Sequence, residues 1–311
     1  MSSNPFQLDA WLQATAAAVG GRAVDLSQAQ LPSLIERRMG PFRVQGAPLP
    51  QSATPLSAAL QGSNEQIHRQ LEGLQDWFER DRPALLQVTS PIPPPPSCQP
   101  SRVETLDNLE IDLHLACEQL WSGLSELPRR MIRKAMRAGV RVRLRRPQGP
   151  ALEAHRVRSE ALFRAQKQAP IVRPQQYAAL SDHRLQANLQ FFEARLAGNS
   201  VGSLISWSEP SRSYYWDVAI TPEARAHGVG HLLFWFWMRW CKRRGIPCLD
   251  MIGPLEGGRA GGRQGIGRFK ASLGARPRRY FIIYWHTRLA GLALDLRRGW
   301  SRRLSQAADT G

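Results

Sequence analysis

Residues 223–233 read EARAHGVGHLL, an arginine and two glycines set just ahead of a long apolar run. The run continues as LLFWFWMRW (232–240), and SYYWDVAI (213–220) precedes the stretch. The pattern is a strand, a short glycine-bearing loop and a helix over 229–244 stopped by Gly245. The first N–H groups of a helix have no partner inside it, and the helix dipole adds partial positive charge there. An anion is stabilised at such an end, and glycines let a phosphate come close to the backbone. Arg225 and His227 can add charge. The alternative is a plain strand-to-helix turn whose glycines serve packing.

Outward from this stretch the order is α+β. Upstream, LQFFEARLA (189–197) and SVGSLISW (200–207) read as strands joined by the turn signal Gly198-Asn199, so an antiparallel meander leads into the loop. Downstream, CLDMI (248–252) is a strand, a glycine-rich loop (253–267) leads to RFKASLG, RYFIIYW (279–285) is a last strand, and a helix closes the chain. Nearer the start, helical spacing marks 6–19 and 64–79, with Asn64 as N-cap. ALLQV (84–88) reads as a buried strand and SPIPPPPSCQP (90–100) as a stiff polyproline connector, or an SH3-type ligand. EIDL (110–113) is a strand and 115–125 a helix. PRRMIRKAMRAG (128–139) is a helix with Pro128 in its first turn and Gly139 past its end. VRVRL (140–144) is a strand, and helices follow at 151–167 and 174–185.

With 311 residues and 42% apolar content the chain can bury real cores, and disorder is excluded. Its net charge of +17 and pI near 11.0 point to an anionic partner: nucleic acid, a nucleotide-bearing substrate or an anionic membrane face. The four cysteines show no metal spacing and read as free thiols, and no His/Cys/Asp cluster has zinc spacing, so no metal is expected. No signal peptide or membrane-spanning run is read, which predicts a cytoplasmic protein. GGRAGGRQGIG lacks the Lys-Ser/Thr of a P-loop, and no Gly-x-Ser-x-Gly elbow appears. The aromatic run 232–240 reads as a buried helix.

Charge is densest at 129–146, with nine Lys/Arg in eighteen positions. On a helix Arg130, Arg133, Lys134 and Arg137 share one face, a footprint for phosphates or a solvated amphipathic surface. In that second case Met131, Ile132 and Met136 are partly buried.

Three stretches carry a family resemblance. RAHGVGHLL resembles the pyrophosphate loop of the GNAT acyltransferases. Segment 109–143, with its basic RRMIRKAMRAGV, is similar to one in the Fem-type peptidyltransferases and their CelD/BioF-like relatives. GIGRFKASLGARPRRYFIIYW (265–285) resembles their C-terminal Phe-Lys motif, and the N-terminal helix also looks alike. Residues 20–105 match only loosely.

The resemblance implies two GNAT-like halves, each a mixed, mainly antiparallel sheet flanked by helices, with a cleft between them. Residues 1–148 would form a degenerate half, completed by a C-terminal helix 288–311. Residues 149–287 would carry the donor motif, with Arg225, His227, Gly228, Val229, Gly230 and His231 holding the donor's pyrophosphate. Lys270 would stabilise the oxyanion or hold a leaving group. Asp217 or Asp250 are candidate bases, and Tyr284 a candidate acid for the leaving thiolate. Arg130, Arg133, Lys134, Arg137 and Phe269 would meet the substrate. The implied activity is transfer of an acyl group from acyl-CoA to a primary amine. The alternatives are a Fem-type transferase using aminoacyl-tRNA on a peptidoglycan precursor or another amine, and a non-catalytic protein that binds RNA or an anionic surface. The expected partners are an amine acceptor, with a nucleotide or phosphate handle as one option, tRNA as another, and a peripheral membrane contact.

Overall fold

The computed structural model describes residues 9–46, 60, 62–165, 172–254 and 262–296. Much of the glycine-rich loop 253–267 and residues 297–311 of the expected last helix therefore lie outside the described residues.

The described chain is built from one motif used twice. Helix α1 (Asp9–Ala18) precedes a meander of β1 (Arg22–Val24), β2 (Leu34–Met39) and β3 (Phe42–Gly46). Helix α2 (Asn64–Asp81) then crosses to β4 (Leu85–Ser90), which runs parallel to β3, and β5 (Arg102–Asp112) follows. The connecting segment holds α3 (Cys117–Gly123), α4 (Glu126–Arg137), β6 (Arg141–Arg145), α5 (Gly149–Ala165), α6 (Pro174–Ala179) and α7 (His183–Gln186). The motif then returns. Strands β7 (Leu189–Leu196), β8 (Asn199–Glu209) and β9 (Arg212–Ile220) form a meander. Helices α8 (Pro222–Ala226) and α9 (Val229–Arg243) lead to β10 (Cys248–Pro254), parallel to β9. Helix α10 (Gly262–Ser272) and β11 (Arg276–His286) complete it.

All eleven strands form a single sheet in the order β1-β2-β3-β4-β11-β5-β10-β9-β8-β7-β6. The final strand of each motif is exchanged: β11 pairs with β4, and β5 pairs with β10. The exchanged strands pair with each other from Arg276↔Glu110 to Tyr284↔Arg102. The α+β class and mainly antiparallel pairing are as expected, but the two sheets are fused along this seam rather than set apart. The segment after β5 follows the exchange. Although it precedes residue 149, α4 packs on α9, and β6 pairs with β7.

Hydrophobic patterning explains the layers. The run 232–240 is core: Val229, Leu232, Leu233, Phe234, Trp237, Met238 and Cys241 of α9 are buried against β5, β10 and α4. Each such large side chain contributes about 1.5–3 kcal/mol by leaving water. Trp11, Tyr177, Trp207 and Trp216 make a second core under α1, α5 and α6, and Leu71, Leu74, Val88 and Trp285 a third under α2.

Local details differ from the sequence reading. The β7–β8 turn centres on Ala197 and Gly198, both at positive φ (48° and 83°), one residue earlier than expected. That pair of dihedral signs is what a two-residue hairpin needs to match strand twist. Ser63, not Asn64, caps α2, in a reciprocal box with Gln66. The helix expected over 174–185 breaks into α6 and α7, because Asp182 caps a new start by accepting from the Arg184 N–H. Strands β5 and β11 are longer than expected. Met136 stays exposed on α4, while Ile132 is fully buried.

Candidate active site

Strands β9 and β10 run parallel but pair only at Leu249↔Ser213 and Asp250↔Tyr214. Beyond that point β9 pairs with β8 alone, as far as Ile220. Strand β10 shifts register against β5 between Asp250 and Pro254, with Ile252 and Gly253 at φ 48° and 113°. A wedge is left between the carboxyl ends of two parallel strands, the usual place for a ligand in a sheet with crossover helices.

Lys270, from α10, fills the base of this wedge. Its Nζ donates to the Ile252 carbonyl oxygen and lies 5.5 Å from the centre of the Tyr215 ring. Gly253 sits directly beside it, since a Cβ there would come within 3.5 Å of Nζ. Lys270 is 6% exposed, and burial pushes its pKa down to about 8, against the opposing pull of Asp250. Near neutral pH the group is an ammonium that gives its proton up readily. Phe269 precedes Lys270 on α10. Its ring packs on His231 and Phe234 at 5.0 and 5.2 Å, which fixes α10 to α9 and so aims Lys270. Burial also lowers the pKa of His231.

The amino end of α9 faces the wedge's outer side. Its N-cap is Gly228, at φ 77°, and no side chain caps it, which leaves the amides of Val229, Gly230 and His231 at the helix start. In the first motif the corresponding helix, α2, is closed differently: Ser63 Oγ accepts from the Gln66 N–H. The two helix starts therefore differ in their capacity for an anion. The glycines themselves serve packing. A Cβ on Gly228 would lie 2.4 Å from the Met131 carbonyl oxygen of α4, and one on Gly230 would lie 2.9 Å from Ile220 Cδ1. Arg225 is exposed at the end of α8, and His227 is half-buried.

The basic face of α4 is divided in use. Lys134 Nζ donates to the Ala226 carbonyl oxygen at 2.7 Å, tying α4 to the loop, and Arg133 stacks 5.3 Å over Trp121. Arg130 and Arg137 are exposed.

Two expected catalytic residues have other roles. Asp217 is buried, and its Oδ2 accepts from Tyr177 OH at 2.6 Å, Ser159 Oγ at 3.0 Å and His155 Nε2 at 3.0 Å. Oδ1 accepts from the Val218 N–H at 2.9 Å. Burial alone would raise its pKa, but these donors outweigh it and hold the carboxyl below the usual range. Through these bonds it anchors α5 and α6 to β9. His155 Nδ1 also meets Ser203 Oγ at 2.8 Å, so serine, histidine and aspartate stand in a chain. His155 and Ser203 are completely buried, which denies them a substrate. Tyr284 donates to Glu104 at 3.2 Å and pairs with Arg102, six residues along β5 from Asn108. At about 3.3 Å per residue that is roughly 20 Å from the seam's Asn108, too far to protonate a leaving group in the wedge.

The sequence reading missed a buried polar cluster on the seam. Arg212 Nη1 donates to Glu110, to Tyr280 OH at 3.0 Å and to Asp250 at 3.3 Å. Tyr280 OH donates to Glu110 at 2.6 Å. Asn108 Nδ2 and the Ile252 N–H both donate to Asp250 Oδ1, at 2.9 and 2.8 Å. Burial raises the Asp250 pKa despite Arg212, whereas Arg212 and Tyr280 overcome burial at Glu110 and lower its pKa. A pocket of about 250 Å³ opens over this cluster, walled by Leu60, Ile67 and Ile92 of the first motif and by Tyr214 and Asp250 of the second. A larger one of about 1030 Å³ lies beyond Arg212, between α3 and β11. These residues come from four strands, with Glu110 and Tyr280 lying 170 positions apart, and no local spacing marks them.

Comparison with known proteins fits this geometry. Residues 128–270 match the family model of the acetyltransferase (GNAT) domain. Over those residues, a little under half of its length, the chain is similar to a GNAT domain. The matched residues run from Pro128 in α4 to Lys270 and include the α9 start and the wedge. The match supports an acyltransferase enzyme of that type. No curated protein matches it in sequence. Among solved structures, FemX superposes with a TM-score of 0.63 at 11% identity, covering 89% of this chain and 92% of FemX. L-PGS from Bacillus licheniformis gives 0.59 at 12% identity, with 91% and 88% covered. The C-terminal domain of a protein described as a lysylphosphatidylglycerol synthetase from Agrobacterium fabrum gives 0.58 at 14%, with 90% and 89% covered. At these identities the likeness is one of fold. Among the described residues no group of His, Cys, Asp and Glu is placed to hold a metal ion, and no helix is long and apolar enough to cross a membrane.

Proposed function

We propose that the chain is a cytoplasmic N-acyltransferase that moves an acyl group from acyl-CoA to a primary amine. The observation that carries this reading is Lys270, an ammonium held at the base of the β9–β10 wedge. The donor's pyrophosphate would sit on the uncapped amides at the start of α9, with Arg225 beside it, and its thioester would lie in the wedge. The amine nitrogen attacks the thioester carbon, forming the C–N bond and an oxyanion. The C–S bond then breaks, and the thiolate leaves and takes up a proton. Lys270 stabilises the oxyanion, where a fixed charge acts on the transition state more than on the ground state. Asp250, its pKa raised by burial, lines the smaller pocket and accepts the proton that the amine loses. That pocket, between the two motifs, would take the acceptor amine.

A second reading has a specific observation behind it. The Met131 carbonyl oxygen occupies the space beside Gly228, and exposed Arg130 and Arg137 lie on the helix that packs there. A donor that engages a broad basic face, such as aminoacyl-tRNA, would use α4 more fully than CoA does. Isothermal titration of the full chain with CoA and acetyl-CoA, with Arg225→Ala beside it, tests the first reading. Binding that weakens in Arg225→Ala is expected, and no binding by the unaltered chain contradicts it. Mass spectrometry of co-purified ligand separates CoA from tRNA.

A further inference from the structure

The stretch 288–296 after β11 is helical, and it is apolar on two opposite sides. Its inner side is docked: Ala290 is 5% exposed, Leu294 packs with Leu85, Ile282 and Tyr284, and Asp295 pairs with Arg102 at 2.7 Å. Its outer side carries Leu289, Leu292 and Leu296, which are 68%, 61% and 75% exposed. At about 100° per residue these three leucines fall within about 60° of one another, nearly opposite Ala290 and Leu294. A surface helix ordinarily turns charge outward. Here the outward stripe is leucine, and the sequence that follows is RRGWSRRL (297–304), with four arginines around Trp300 and Leu304.

We propose that this leucine stripe is a docking surface for an anionic lipid membrane. An exposed leucine stripe on a helix suits a bilayer interface, with its apolar face in the acyl boundary, and arginines nearby in the sequence add attraction to anionic headgroups. Charge selects the occupant. The chain carries +17, so a second copy would bring like charges and facing arginines together, whereas anionic headgroups neutralise them. Exposed leucines have no counterpart in a nucleic-acid backbone, which rules against RNA on this face. The inference goes beyond the acyl-transfer reading and does not depend on it.

Co-sedimentation of the full chain with vesicles of phosphatidylcholine, with or without phosphatidylglycerol, tests this. The chain is expected to pellet with the anionic vesicles only. Joint substitution Leu289→Ser, Leu292→Ser, Leu296→Ser should lower partitioning on the order of tenfold with the thermal melt unchanged, because these side chains are exposed. A second variant, Arg297→Gln with Arg298→Gln, should weaken binding and flatten its salt dependence. The proposal is overturned if the chain stays in the supernatant, or if the leucine variant pellets as well as the unaltered chain. It is also overturned if sedimentation velocity shows a dimer that the leucine variant abolishes.

Discussion

Replacing Asp217 by asparagine should unfold the protein more easily without stopping its chemistry. The structure sets the size of the effect. Oδ2 accepts from Tyr177, Ser159 and His155, and Oδ1 from the Val218 N–H. An amide keeps one oxygen, for Val218, and puts an NH2 where three donors converge. Ser159 and Tyr177 can turn to accept, but two N–H groups cannot serve three partners, and a charge-assisted cluster becomes a neutral one. Hydrogen bonds to a charged group are worth about 1.5–3 kcal/mol each, so partial recovery leaves a loss of roughly 3 kcal/mol. With a urea slope of about 3 kcal/mol per molar, the midpoint should fall by about 1 M. The pH dependence has a definite sign. The folded pKa is depressed, so the carboxylate's contribution is present above its unfolded pKa, about 3.9, and is lost as pH falls through the folded value. The gap between the unaltered chain and Asp217→Asn should therefore close in acid. Urea melts at pH 7 and pH 3, together with turnover measured well below the midpoint, give the answer. An unchanged midpoint with collapsed turnover would refute the anchoring role and restore Asp217 as a catalytic base.

Other substitutions probe the packing and the charges. Gly228→Ala forces a side chain into φ 77° and toward the Met131 carbonyl oxygen, and should cost about 2–3 kcal/mol in a thermal or urea melt; an unaltered melt would contradict the contact between α4 and α9. Arg212→Met leaves Glu110 and Asp250 as buried carboxylates without their shared cation, and should cost about 3–5 kcal/mol. A near-neutral result in a chemical melt would show the network to be dispensable. The buried Lys270 ammonium should be lost as pH rises through about 8, and turnover with it, while Lys270→Arg, which stays charged, should carry activity to higher pH. Stability should move the other way. Burying the ammonium disfavours folding below about pH 8, and that cost fades toward the unfolded pKa near 10.4. A pH–rate profile with no alkaline limb would separate Lys270 from the chemistry.

Much of the second motif was legible because its signals are local. Alternating apolar residues mark β7 to β9, the loop before α9 combines glycine with helix-start spacing, and the aromatic run 232–240 can only be buried. The long strands were harder. Charges at Arg276, Arg278 and Arg279 hide the first third of β11, because its partner there is polar: Arg278 faces Asn108 and Arg279 faces Asp107. The exchange of β5 and β11 was invisible, since no local pattern shows which motif a strand completes. For the site, Lys270 rests on a local Phe-Lys pair and could be singled out, although the role of Phe269 as a brace depends on rings in α9. Asp217 and Tyr284 were singled out for one reason. A polar residue in an apolar strand reads alike whether it faces a substrate or a buried donor, and only the partners His155, Tyr177 and Glu104 decide. The Arg212 cluster joins residues from β5, β9, β10 and β11, so nothing short of the folded sheet brings it together.

The central claim is that a buried ammonium in the β9–β10 wedge drives transfer from a bound acyl-CoA. Release of free CoA from acetyl-CoA in the presence of a panel of primary amines, measured for the unaltered chain and for Lys270→Met, tests it directly when CoA affinity is followed in parallel. The account predicts amine-dependent release by the unaltered chain, a fall of about 10²–10³-fold in Lys270→Met and a nearly unchanged CoA affinity. Equal turnover in the two proteins, or a loss of CoA binding that accounts for the whole effect, would contradict it.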